Sequence, residues 1–142
     1  MTVTVDTQRF EYVGNITGPI WIEVAGRAFP YSKWNDFPVI ILGWWLQELH
    51  RLLTGEVDRI ECYFMDGPYH FEIVNSASLL TITCCRDDEI SVLVETQMEK
   101  IQDFTRSLVK SAQAVLNLCR ERGWLSSDID QLRTVLLNFP PK

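Results

Sequence analysis

Two histidines and four cysteines are the side chains in this 142-residue chain best suited to chemistry at neutral pH. His70 falls in a strand-like run beside Glu61 and Glu72 in the alternating pattern, and a histidine next to carboxylates can act as a general base or a metal ligand. A cross-strand polar pair on a wet sheet face is the simpler account, and no motif specifies a third ligand or a nucleophile. His50 sits late in a predicted helix, on its mixed face. Cys84 and Cys85 are adjacent, so in a strand only one of them can face outward. A nucleophilic cysteine needs an electropositive setting to lower its pKa, and this neighbourhood is acidic. Cys62 and Cys119 are remote, and the spacing matches neither a disulfide framework nor a zinc ribbon. Four reduced, buried thiols are expected. Asp87-Asp88-Glu89 lacks the loop spacing and the glycine of a calcium hand and reads as a charged turn. Phosphate-binding glycine loops, Gly-x-Ser-x-Gly elbows and His-Glu-x-x-His are absent. No catalytic residue, metal ligand or cofactor site is therefore expected.

The distribution of charge is more informative. Between Glu56 and Glu99 lie ten acidic residues against only Arg59 and Arg86, a local net charge of −8, whereas the rest of the chain balances to +2 and the total is −6. A concentrated field of one sign steers a partner of the other sign. It argues against DNA or RNA as a partner, because phosphate binding needs clustered lysine and arginine. The first ten residues lack the basic start and apolar run of a signal peptide. The most apolar run, Phe37 to Leu46, is about half the ~20 residues that span a bilayer. A cytoplasmic protein with no membrane contact is expected.

These residues need a scaffold. The length fits one domain, 1–142. Phe10 and Tyr12 alternate with Arg9 and Glu11, Gly14 to Pro19 supplies turn residues, and Trp21 to Ala25 reads as the return strand of a hairpin. A helix capped by Asp36, with Pro38 in its first turn, runs to about Leu53 and stops at Gly55. Ile41, Leu42, Trp45, Leu49, Leu52 and Leu53 form its core stripe. Val39, Ile40 and Trp44 make its first half apolar nearly all round, so both sides need a cover. Trp44 is open to two readings, a core residue or an interface anchor.

Four strand-like runs follow, Arg59–Phe64, Tyr69–Val74, Leu79–Cys85 and Ile90–Glu95, joined by short turns that force an antiparallel meander. Ile60, Cys62, Phe64, Tyr69, Phe71, Ile73, Leu80, Ile82, Cys84, Ile90, Val92 and Val94 should face the core. Glu61, Tyr63, His70, Glu72, Thr81, Thr83 and Glu95 should face water. Thr96 to Glu99 reads as a capping box opening a helix from Gln97 to Arg122, striped by Met98, Ile101, Thr105, Leu108, Ala112, Val115 and Cys119 and stopped at Gly123. A last helix starts near Ser127, buries Ile129, Leu132, Val135 and Leu136, and ends at Pro140-Pro141. Segregated strands and helices predict an α+β fold: an antiparallel sheet, made of the N-terminal hairpin and the four-strand meander, packed on one face by about three helices.

Three runs, Trp34-Asn35-Asp36-Phe37-Pro38, Trp44-Trp45-Leu46 and Phe64-Met65-Asp66-Gly67-Pro68-Tyr69, resemble a pattern found among small bacterial immunity proteins. These are the antidotes of contact-dependent growth inhibition and related polymorphic toxin systems. The resemblance spans roughly Trp34 to Ile73. It implies a non-enzymatic, cytosolic inhibitor that binds and blocks the toxin domain of a sister effector. Many such toxins are nucleases with basic grooves, which an acidic antidote would occupy in place of nucleic acid. Combined with the charge pattern, it gives Glu61, Tyr63, Glu72, Asp87, Asp88, Glu89, Glu95 and Trp44 as the expected partner-binding residues for a basic toxin domain. Two other readings stand beside it. One is a small enzyme or ligand-binding domain with a pocket around His50 or His70. The other is a homo-oligomer that buries Val39, Ile40 and Trp44 against a second copy.

Overall fold

The computed structural model describes residues 1–139. In chain order the elements are β1 (Thr2–Val5), β2 (Glu11–Val13), β3 (Asn15–Val24), β4 (Arg27–Phe29), β5 (Asn35–Asp36), α1 (Pro38–Leu53), β6 (Arg59–Tyr63), β7 (Tyr69–Ser76), β8 (Leu79–Arg86), β9 (Glu89–Gln97), α2 (Ile101–Arg122) and α3 (Ser127–Asn138). The class is α+β, with two antiparallel sheets and the helices segregated from them.

The N-terminal strands form a sheet of their own, separate from the meander. β3 is its hub and pairs with β1, β2, β4 and β5. The expected turn from Gly14 to Pro19 is mostly strand: β3 starts at Asn15, directly after Gly14 turns the chain at φ +74°. Gly18 lies inside the strand because the Phe10 ring occupies the space a Cβ would need. That glycine signals a close approach rather than a turn. The strand pairing in β1 adds an edge that the hairpin expectation lacked.

The second sheet is the expected meander, in the order β6-β7-β8-β9. Its register puts Ile60 opposite Ile73, Ile73 opposite Ile82 and Ile82 opposite Val94, with Cys62, Phe71, Cys84 and Val92 forming the next inward row. Phe71 meets Trp45 of α1 (ring centroids 5.0 Å apart) and Phe104 of α2 (5.8 Å), which ties the sheet to both helices. Ile90 departs from the expected alternation. A register shift between Cys84 and Cys85 places it opposite Cys85, on the outward face, where it is 60% exposed. An extra residue in one strand reverses the facing of everything beyond it.

Helix α1 is the centre of the molecule. Val39, Ile41, Leu42, Trp45, Leu46, Leu49 and Leu52 are buried between β6, β3, α2 and α3, which accounts for its nearly all-round apolar start. Leu53, expected on the core stripe, is exposed instead. Asp36 does not cap the helix, whose flanking residue is Phe37. The Thr96–Glu99 capping box also fails to form. Thr96 is consumed by β9, opposite Leu80, and α2 begins at Ile101 after a 3-10 turn with no side-chain cap. Ile101, Phe104, Leu108, Ser111, Ala112, Val115 and Cys119 are the buried residues of α2, and Gly123 ends it at φ +69° as expected. Ser126 caps α3 by accepting the Ile129 amide at 3.2 Å. The expected stop at Pro140-Pro141 lies outside the described residues. Among those residues no helix is long and apolar enough to cross a membrane.

Candidate functional site

The outward face of the meander has no helix across it among the described residues. Three cross-strand rows make up this face: Arg59-Val74-Thr81-Glu95, Glu61-Glu72-Thr83-Leu93 and Tyr63-His70-Cys85-Ile90. Glu61 and Glu72 are direct neighbours, a repulsive pairing. Arg59 relieves it: its Nη2 donates to Glu61 at 3.3 Å and to Glu72 at 2.9 Å. Glu61 accepts the Tyr63 hydroxyl through its other oxygen at 2.9 Å. This bond, followed by partial burial, holds the Tyr63 phenol above its ordinary pKa. The Tyr63 ring stacks on His70, whose Nε2 lies 3.1 Å from Oε2 of Glu72.

Cys85 belongs to this cluster and was missed. The acidic neighbourhood spoke against a reactive thiol, and the adjacency of Cys84 and Cys85 could not say which one faces outward. The register answers that: Cys84 is inside and Cys85 lies opposite His70. Burial, then the negative charges of Glu72 and Asp88, push the Cys85 thiol up, away from the thiolate. All four cysteines are free and buried.

A cleft of about 490 Å³ opens between α1 and the edge strand β6. Trp44, Gln47 and Glu48 line it from the helix, and Glu61, Tyr63 and Met65 from the sheet side. Trp45 fixes the geometry from beneath by donating its indole N–H to the Tyr63 carbonyl at 2.9 Å. Trp44 and Tyr63 are 42% and 48% exposed, so both remain available to a ligand or partner. Three of the expected partner-binding residues, Trp44, Glu61 and Tyr63, thus share one concavity.

The carboxylates divide into two sets. Glu61 and Glu72 are paired with Arg59, and Glu48 and Glu56 with Arg51. Asp87, Asp88, Glu89 and Glu95 form no ion pair among the described residues, and all four are exposed. The Asp87 amide donates to the Pro68 carbonyl at 2.7 Å, so the β8–β9 turn leans on the β6–β7 turn that carries Asp66. The unpaired negative charge therefore gathers at the Tyr63 end of the sheet. Glu95 shares the face but stands in the row at the other end.

The two alternative sites fare differently. His50 is half-buried with its ring 6.2 Å from that of Phe139 and has no carboxylate partner among the described residues. Of the proposed oligomer face, Val39 is buried within the fold and Ile40 is half-buried, leaving Trp44 exposed.

Two of the three runs singled out in the sequence, Trp34–Pro38 and Phe64–Tyr69, meet at one lock. Asp36, 1% exposed, accepts the Trp34 indole N–H and the Phe37 amide at 2.8 Å each, and the Asp66 amide at 3.2 Å. Burial holds its carboxyl above the usual range, and the three donors offset only part of that rise. Trp34 packs edge-on to Tyr69, beside Gly67. This lock sets where the β6–β7 turn sits, and with it one wall of the cleft. No protein-family model, curated protein or solved structure matches the chain.

Proposed function

We propose that this chain is a non-enzymatic binding protein of the immunity class, which captures a basic toxin domain in the cytoplasm and occludes its working surface. The observation that carries this reading is the cleft between α1 and β6, where two exposed aromatic rings, Trp44 and Tyr63, flank the carboxylates of Glu48 and Glu61. Such a slot suits an arginine or lysine side chain, which gains a cation–π contact and a carboxylate partner together. Arg51 and Arg59 now hold those carboxylates, but exposed ion pairs contribute only about 0–1 kcal/mol and exchange readily. The unpaired Asp87, Asp88 and Glu89 at the same end of the sheet supply the longer-range field that speeds encounter with a cationic protein. Ile90 and Leu93 on β9, 60% and 57% exposed, add apolar area to the same sheet face.

The test is affinity capture from the source cell with the wild-type chain and with a Trp44→Ala/Tyr63→Ala double variant. The expected product is a basic protein retained by the first and lost by the second. Expressed alone it should arrest growth, and co-expression of this chain should lift the arrest. A retained partner that is acidic, or harmless when expressed alone, would overturn the proposal.

A further inference from the structure

The geometry points to a second site on the same sheet: His70, Glu72 and Cys85 form a binding site for a single zinc-type transition-metal ion. Their ligand atoms, one nitrogen, one carboxylate oxygen and one sulfur, lie within 4.8 Å of one another. All three sit on paired, adjacent strands rather than on loops. His70 is directly opposite Cys85, and Glu72 is two residues along β7 on the same face. The His70 Nε2 and Glu72 Oε2 atoms, 3.1 Å apart, are already close to the spacing that two ligands adopt on one tetrahedral ion with bonds of about 2.0–2.2 Å. The sulfur lies within 4.8 Å of both atoms and moves closer on binding to reach a bond length of about 2.3 Å.

The donor set selects the metal. A thiolate and an imidazole favour zinc and its neighbours, whereas calcium and magnesium require oxygen alone. The groups around the ligands fit an ion as well. Arg59 holds the other oxygen of Glu72 at 2.9 Å and so presents Oε2 as a single ligand. Tyr63 stacks on the imidazole and restrains its plane. Glu61 and Asp88 add negative charge close to Cys85, and Arg59 is the nearby cation. Binding replaces the thiol proton: Cys85-SH and a divalent ion give a metal thiolate and one released proton. Three protein ligands leave a fourth tetrahedral position for water or an incoming group.

Titration of the full chain with Co²⁺, a spectroscopic substitute for zinc, tests the site without any partner protein. One equivalent should produce a thiolate-to-cobalt charge-transfer band in the near ultraviolet, and Zn²⁺ should abolish it. The band should vanish in Cys85→Ala, and affinity should fall about tenfold or more in His70→Ala and in Glu72→Gln. It should persist in Cys119→Ala, whose thiol lies in the helical core. Zn²⁺ should raise the wild-type melting temperature. Absence of the band in the folded wild type at tenfold excess of metal would overturn the site, whether or not any variant folds. So would a band that survives Cys85→Ala. Neither result bears on toxin capture, which rests on Trp44 and Tyr63.

Discussion

The Tyr63 ring lies nearly parallel to the His70 imidazole, with centroids 4.8 Å apart and planes inclined by 20°. The two residues are direct cross-strand partners on β6 and β7, where side chains approach most closely. One face of the tyrosine therefore covers the histidine, while its hydroxyl reaches Glu61 and the residue lines the cleft together with Trp44. A single residue links the metal-ligand cluster to the aromatic slot.

The slot makes the first prediction. Trp44→Ala and Tyr63→Ala should each weaken binding of the captured basic partner by about tenfold or more, roughly 1.4 kcal/mol. Both side chains are more than 40% exposed, so neither change should unfold the protein. Calorimetric titration beside a thermal melt separates the two effects. Unchanged affinity in both variants would remove the slot from the interface.

Charge at the β8–β9 turn should act on rate. Asp87→Lys with Asp88→Lys reverses two unpaired, exposed charges at the Tyr63 end of the sheet. Association with the basic partner should slow and lose much of its salt dependence, while dissociation changes little. Stopped-flow mixing across a salt series measures this. An on-rate indifferent to both salt and charge reversal would refute electrostatic steering.

Asp36 is the residue whose loss should be felt most in stability. Asp36→Asn keeps the size but turns an acceptor-only group into one that presents an N–H₂ to donors. At least one of Trp34 Nε1, Phe37 N and Asp66 N then faces another donor or loses its partner. The expected loss is about 1–3 kcal/mol in urea unfolding. A midpoint equal to that of the wild type would show that the lock is dispensable.

Cys84 should make the fold sensitive to alkali. Burial pushes its thiol up to about 12 from an ordinary 9.0. The unfolded chain therefore loses this proton first, and the stabilisation present below pH 9 fades as the pH rises towards 12. Other groups titrate in the same window, so the signature is a difference: the decline in urea midpoint between pH 9 and 12 should be shallower in Cys84→Ala than in the wild type. Parallel declines would mean that Cys84 ionises as it does in the unfolded chain.

What could be read from the residues in order was what depends on near neighbours. The meander follows from alternation within each run and turn residues between runs, and both are local. The spans of α1 and α3 follow from apolar periodicity, and the α2 terminus follows from a glycine that adopts the left-handed conformation. The acidic, wet face with Glu61, Tyr63, His70 and Glu72 side by side follows from the same alternation. Tertiary structure decided what depends on residues meeting from afar. Gly18 is strand rather than turn because a ring eight residues earlier lies against it. Asp36 is a buried lock rather than a cap because it reaches an amide thirty residues away. Cys85 joins His70, and Ile90 turns outward, through strand register and one shift in it. Periodicity assigns each side chain a face, but only the pairing of strands and the packing of helices assigns it a neighbour, and it is neighbours that make a binding site.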